Sequence, residues 1–129
     1  MTCLLICNVP LIANAIELLI DKSKDLVLVG SCNNTVEAAR LFCTYKVDIV
    51  FVDIQADETQ GYTFVKEIPY ETFVIFIAAY YSSEIGVSFS DISFDARNGR
   101  FQKGVDMARV YSNILKKDNS NISEGYFVL

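Results

Sequence analysis

Four short runs of consecutive apolar residues occur within the first 80 positions of the chain. They cover residues 3–7, 26–29, 49–52 and 73–78, and the third run ends at Asp53. A continuous apolar run of this length is typical of a strand that is buried on both faces of a parallel sheet. The pattern therefore predicts four buried parallel strands, the second of which is closed by Gly30.

Between these runs the apolar residues follow helical spacing. Pro10 suits the first turn of a helix, where its missing N–H group costs nothing. The predicted buried stripe of this helix consists of Leu11, Ala15, Leu18 and Leu19. Residues 33–35 can cap a second helix, and residues 62–68 carry a short third one. Strands that alternate with short helices predict right-handed βαβ units and an α/β, doubly wound sheet.

The last third of the chain has a less regular pattern. Residues 79–99 place apolar side chains at strand-like spacing among serines and aspartates, so we expect irregular structure or a shortened helix around residues 81–99. Helical spacing returns from Arg100 to Lys117. A polar segment that begins at residue 118 is typical of a linker, and residues 125–129 have strand character. The pattern predicts one domain over residues 1–117, followed over residues 118–129 by a linker and a strand-like end.

The composition indicates a folded domain that acts on proteins rather than on nucleic acids. The chain has 129 residues, of which 52% are hydrophobic and 21% charged, which is enough for one domain with a sizeable core. Its net charge of −5 repels phosphate backbones and anionic membranes. The first residues show neither a basic segment nor a long apolar run, so we expect a cytoplasmic protein without membrane contact.

The four cysteines predict neither a disulfide framework nor a zinc site. No pair has C-x-x-C spacing, and the chain contains no histidine. In a strand over residues 3–7, Cys3 and Cys7 would lie roughly 13 Å apart, which is too far for a disulfide. We expect reduced and mostly buried thiols, as in a cytosolic protein.

One acidic side chain ends a core strand. In an open parallel α/β sheet, ligand and reaction sites form beyond the carboxyl ends of the strands. The residues at those ends are Cys7 and Asn8 for the first strand, Asp53 for the third, and Ala78 with Ala79 for the fourth. Asp53 is therefore a candidate nucleophile or metal ligand, and the alternative explanation is that it caps the following loop or helix.

Several segments resemble the receiver domains of bacterial response regulators in both order and spacing. They are residues 3–11 (CLLICNVPL), 47–55 (VDIVFVDIQ), Gly61 with 64–66 (FVK), and 74–80 (VIFIAAY). The similarity is closest to the LytTR class, is patchy over residues 81–99, and resumes at residues 101–105. It implies a flavodoxin-like or CheY-like fold with a five-stranded parallel sheet of order 2-1-3-4-5.

This resemblance places Asp53 at the family's phosphoacceptor position, whereas most of the assisting residues are missing. In the family an acidic pair holds Mg²⁺, and the positions of that pair fall on Cys7 and Asn8 in this sequence. The thiol of Cys7 is a poor ligand for Mg²⁺, and the side-chain amide of Asn8 brings no charge. The family's Ser/Thr position falls on Ala78, and its lysine is not found. The loop acids Asp57 and Glu58 are alternative candidates for the missing metal ligands. The only cofactor that we expect is therefore Mg²⁺, bound weakly at Asp53.

The resemblance implies a degenerate receiver domain of a transcriptional response regulator, with no enzymatic activity and weak or no phosphorylation of Asp53. The implied partners are a sensor histidine kinase, a second copy of the chain, or an output domain. DNA would be bound only through a C-terminal LytTR domain, for which residues 125–129 would supply an opening strand that has no partner in the receiver sheet. The chain would then be a receiver cut from a longer regulator, or the product of a truncated gene.

Two other functions compete with this interpretation. A small flavodoxin-like domain that binds a ligand or nucleotide would share the fold, although no glycine-rich loop follows the first predicted strand. A hydrolase that uses Cys7 or Asp53 is the other alternative, and it is disfavoured because no histidine is present to act as a base.

Overall fold

The structure is a computed structural model that describes residues 1–53, 68–77, 94–117 and 126–128, without the side chains of residues 94–98, 116, 117 and 128. The strands are β1 (Thr2–Ile6), β2 (Val27–Cys32), β3 (Ile49–Asp53), β4 (Phe73–Ile77) and β5 (Tyr126–Val128). The helices of the described ranges are α1 (Pro10–Asp21), α2 (Thr35–Thr44) and α3 (Phe94–Lys117).

The five strands form one parallel sheet of order β2-β1-β3-β4-β5, so the predicted fold class and strand order are confirmed. The apolar runs identified β1, β3 and β4 because these strands lie inside the sheet and bury residues on both faces. In β3, all five residues are buried, including the carboxylate of Asp53 at its end. The carboxyl ends of β1 and β3 therefore lie side by side at one edge of the sheet.

The helices cover the two faces of the sheet unequally. On one face, α1 and α3 pack against Cys3, Leu5 and Phe51, and the ring of Phe101 stacks on that of Phe51 with 5.4 Å between centroids. On the other face, Ala38 of α2 packs with Leu4 and the inward residues of β3 and β4. A sheet covered on both faces is the doubly wound arrangement that the sequence pattern predicts.

Helix α1 begins at Pro10 as predicted and buries the predicted residue Leu19, but the rest of its buried stripe differs. The buried residues are Ile12, Ile16, Leu19 and Ile20, whereas the predicted members Leu11 and Leu18 are 65% and 48% exposed. Both stripes have helical spacing, so the pattern alone could not choose between them. Helix α2 follows the predicted cap: the Asn34 side chain accepts a hydrogen bond from the Glu37 N–H at 3.0 Å.

Two further element boundaries differ from the sequence prediction. Strand β2 runs through Gly30 to Cys32 and is an edge strand rather than a fully buried one, since Val27 is exposed. Helix α3 begins at Phe94 rather than at Arg100, so the irregular region does not extend to residue 99. Residues 62–67 and 81–93, where a short helix and an irregular region are predicted, lie outside the described residues. None of the helices in the described ranges combines the length and the apolar character needed to cross a membrane.

The prediction that residues 125–129 have no partner in this sheet is wrong for residues 126–128. These residues form β5, which pairs in parallel with β4 through Val74↔Tyr126, Ile75↔Phe127 and Phe76↔Val128. Phe127 is buried in the core layer between the sheet and α3. A short strand is stabilised when it finds a sheet edge and a slot for its side chain, and both are provided within this domain. The proposed domain boundary after residue 117 therefore does not separate β5 from the sheet.

Candidate functional site

The candidate site lies at the carboxyl edge of the sheet, where β1 and β3 end. Cys7 directly follows β1, and Asp53 is the last residue of β3; the pairing of Ile6 with Val52 brings the two side chains together. Both are buried, with 2% exposure for Cys7 and 1% for Asp53. The Cys7 Sγ atom lies 3.5 Å from Oδ2 of Asp53. A thiol therefore contacts the carboxylate that the sequence singled out.

The Cys7 thiol is protonated in the folded protein at neutral pH. Burial is the main cause that raises the pKa of Cys7 to about 11, and the charge of Asp53 and its hydrogen bond act in the same direction. Its Sγ atom has two acceptors within reach, Asp53 Oδ2 and the Val9 carbonyl oxygen at 3.6 Å. The site thus presents a neutral donor to the carboxylate of Asp53, where a cation would neutralise charge.

The position of Cys7 is fixed by a contact that the sequence analysis did not identify. The backbone N–H of Cys7 donates to the carbonyl oxygen of Cys32 at 2.9 Å, which extends the β1–β2 ladder by one step. Strand order 2-1-3 implies this neighbour, but the predicted end of β2 at Gly30 placed Cys32 outside the strand. Cys32 itself is buried, and burial raises the pKa of its thiol.

The remaining predicted site residues do not join this pair in the described structure. Asn8 is exposed in the turn between β1 and α1. Ala78, Asp57, Glu58 and Gly61 lie outside the described residues. The structure therefore brings together two of the predicted positions, Cys7 and Asp53.

The described residues do not fit a Mg²⁺ site. This ion requires several hard oxygen ligands in octahedral geometry, whereas the group next to Asp53 is a protonated thiol. Within the described ranges, no three acidic, cysteine or histidine side chains come close enough together to hold a metal ion. Of the pair formed by Cys7 and Asp53, only Asp53 supplies the hard oxygen ligands that such a cation prefers.

Comparisons with known proteins support the fold. No protein-family model matches the chain, and no curated protein matches it. Among solved structures, the response regulatory domain of protein mrkE from Klebsiella pneumoniae is similar, with a TM-score of 0.64 and 18% sequence identity. The similarity covers 85% of this chain and 99% of that domain. The chain therefore has a flavodoxin-like or CheY-like α/β fold that resembles the fold of a response regulator receiver domain.

Proposed function

We propose that this chain is a degenerate receiver domain of a response regulator, which signals through protein contacts with weak or no phosphorylation of Asp53. One observation carries the proposal: the protonated Cys7 thiol lies 3.5 Å from Oδ2 of Asp53, at the place where a receiver needs a metal-binding carboxylate. The carboxylate position that would accept a phosphoryl group is kept, but its main electrostatic assistant is absent from the described residues.

The physical reason for slow phosphorylation is the charge of the reaction. Phosphoryl transfer from a small donor requires Mg²⁺ or another cation to neutralise the charge on the transferred group. A neutral thiol supplies one weak hydrogen bond and no charge. The attack of Asp53 on an anionic phosphoryl donor would therefore lack the stabilisation that accounts for most of the rate.

A finer assignment rests on the sequence resemblance of residues 3–80. In this proposal the domain belongs to a transcriptional regulator of the LytTR class, and a separate domain outside residues 1–129 contacts DNA. The net charge of −5 supports this division, because an acidic domain is repelled by DNA. A sensor histidine kinase, a second copy and an output domain remain the proposed protein partners. We further propose that the domain is cytoplasmic and catalyses no reaction of its own.

Intact-mass measurement tests the proposal. The chain is incubated with acetyl phosphate and 10 mM Mg²⁺, and the added mass of one phosphoryl group is followed over an hour in parallel with Asp53→Asn. We expect little or no added mass in either protein. Stoichiometric modification within minutes that Asp53→Asn abolishes would show an active receiver, with metal ligands supplied from outside the described residues.

A further inference from the structure

Strand β2 ends the sheet, and its outer edge is open in the part of the chain that the structure describes. β1 pairs with a strand on each side, whereas β1 is the one described neighbour of β2. The burial of the two strands differs accordingly: four of the five residues of β1 are buried, but only Cys32 is buried among the six residues of β2. Val27 is 60% exposed. An open edge presents backbone N–H and C=O groups that can pair with another strand.

This edge lacks the charged residues and prolines that usually discourage strand pairing. Residues 26–36, which contain β2 and continue to the start of α2, include no charged side chain and no proline. Soluble proteins commonly protect an exposed edge with lysine, proline or a bulge. Of these devices β2 has the bulge: its register with β1 shifts between Cys3 and Leu4, which leaves Val29 without a partner residue on β1. Since a bulge bends and twists a strand, we expect any pairing along this edge to be short.

The two ends of β2 are flanked by opposite charges. Lys24 lies in the exposed turn before β2, and Glu37 is exposed in the first turn of α2. Burial is the main cause that raises the pKa of Cys32, and the charge of Glu37 contributes to it, which places Glu37 near the carboxyl end of the strand. The ion pairs within the described ranges all involve Arg109, so neither Lys24 nor Glu37 is paired there.

These charges become complementary when two copies of β2 pair in antiparallel orientation. A two-fold axis through the middle of the strand places the amino end of each β2 beside the carboxyl end of the other. Lys24 of one copy then lies near Glu37 of the second copy, and the symmetry repeats this contact. A parallel arrangement would place like charges together. Because residues 26–36 are uncharged, the strands approach without adding repulsion, although each chain has a net charge of −5.

We propose that the open edge of β2 is a docking surface for a second copy of this chain, whose own β2 pairs with it in antiparallel orientation and joins the two sheets into one. Backbone pairing along β2 supplies the contact, and Lys24 and Glu37 of the two copies set its orientation. A second copy is among the partners proposed above, so this inference rests on that part of the proposed function. The dimer does not depend on Asp53, so the acetyl phosphate experiment and the dimer measurement can fail separately.

Charge reversal in the full-length chain tests this orientation. Sedimentation equilibrium over a range of protein concentrations, in about 50 mM NaCl to limit screening, gives the dimer dissociation constant. We expect a dimer of the wild-type chain. Lys24→Glu alone and Glu37→Lys alone should each raise the dissociation constant about tenfold or more, because two symmetric contacts change from attraction to repulsion. When the two variants carry different tags and are mixed, complementary charges meet at both contacts, so dimers that carry both tags should form.

Two matched controls make the same charge changes away from β2. Lys103→Glu lies at an exposed position of α3, and Glu71→Lys lies in the exposed turn before β4. Both should leave the dissociation constant unchanged. Val27→Lys instead places a charge on the edge itself and should weaken the dimer. It should not disturb the fold, because the side chain of Val27 is largely exposed.

Hydrogen exchange of the wild-type chain keeps the test decisive if a variant fails to fold. Backbone N–H groups of residues 27–32 should exchange more slowly as the protein concentration rises, whereas those of β3, which has a strand on each side, should not change. A chain that stays monomeric at millimolar concentration would overturn the proposal. So would a dimer in which the exchange of β2 does not depend on concentration, or one that charge reversal at Lys24 and Glu37 leaves as stable as the wild type.

Discussion

The thiol of Cys7 and the carboxylate of Asp53 are neighbours across the β1–β3 pair, with Sγ 3.5 Å from Oδ2. This contact is one between a neutral donor and a carboxylate, because burial keeps the thiol protonated. A cation between two carboxylates would bind strongly, whereas a cation between a thiol and one carboxylate would lose most of its electrostatic attraction. The group beside Asp53 therefore supplies a hydrogen bond and no charge, so this pair by itself is a poor site for a hard cation.

Carboxylates at positions 7 and 8 should create a response to Mg²⁺. In the variant Cys7→Asp/Asn8→Asp, repulsion between the new carboxylates and Asp53 should lower the melting temperature in EDTA. Mg²⁺ at about tenfold over its Kd should then raise the melting temperature by about 3 °C or more. Differential scanning fluorimetry in EDTA and in Mg²⁺ measures both shifts. The wild type and the uncharged control Cys7→Ser should show no Mg²⁺-dependent shift, and an equal shift in all three proteins would contradict the interpretation.

The central part of the fold could be predicted because its residues are constrained on both sides. β1, β3 and β4 are buried on two faces, so their sequences are continuously apolar and their ends are sharp. The contact between Cys7 and Asp53 follows from that prediction, since the carboxyl ends of neighbouring parallel strands share one edge. Asn34 was identifiable as a cap because its side chain has a specific chemical task at the start of α2.

The edges could not be predicted because their structure depends on distant partners. β5 is held by backbone pairing with β4 and by the ring of Phe127, which fills the space beside Gly104. The sequence of residues 125–129 alone indicates neither of these partners. In α1, two apolar stripes with the same period compete, and the packing of the sheet selects Ile12 and Ile16 over Leu11 and Leu18. Exposure of β2 follows in the same way from its place at the end of the sheet.

At the opposite edge of the sheet, two hydrogen bonds between Thr2 and Asp48 join β1 to the residue before β3. Asp48 Oδ2 accepts a hydrogen bond from the N–H of Thr2 at 2.9 Å, and Thr2 Oγ1 accepts one from the N–H of Asp48 at 3.2 Å. Thr2→Val keeps the shape but removes the hydroxyl, so we expect a loss of about 1–2 kcal/mol in the free energy of unfolding. Urea denaturation measures it. Thr44→Val, which removes an exposed hydroxyl bonded to Arg40 O on α2, should change stability by less than ~0.5 kcal/mol.

An ion pair joins α3 to the turn before β2. The guanidinium of Arg109 contacts both carboxylate oxygens of Asp25 at 2.7 and 2.9 Å, and this hydrogen bonding is the main cause that lowers the pKa of Asp25. Since both side chains are substantially exposed, Asp25→Asn should reduce stability by no more than ~1 kcal/mol. The control Asp21→Asn removes a carboxylate at the C-terminal end of α1, where a negative charge is unfavourable, and should not destabilise the chain.

The contribution of Asp25 has a defined dependence on pH and salt. A depressed pKa in the folded state means that the pair stabilises the fold above the unfolded pKa, near 4, and that this stabilisation is lost as the pH falls through the lower folded value. The difference in urea midpoint between the wild type and Asp25→Asn should therefore shrink as the pH falls below the unfolded pKa of Asp25, and it should also shrink in 1 M NaCl at pH 7. A difference that persists under both conditions would assign the effect of Asp25 to packing rather than to charge.

Alkaline conditions should destabilise the fold through its buried thiols. Burial is the main cause that raises the pKa of Cys3 from 9.0 to about 12. The unfolded chain therefore releases the Cys3 proton near pH 9 while the folded chain retains it, so the stabilisation is complete below pH 9 and is lost as the pH rises towards 12. At about 1.4 kcal/mol per pH unit, Cys3 alone should lower the free energy of unfolding by roughly 2 kcal/mol by pH 10.5.

Urea midpoints at pH 8 and pH 10.5 should therefore differ less in Cys3→Ala than in the wild type. The exposed Cys43 supplies the control, because Cys43→Ala should leave the wild-type difference unchanged. Equal losses in all three proteins would show that other groups cause the alkaline destabilisation.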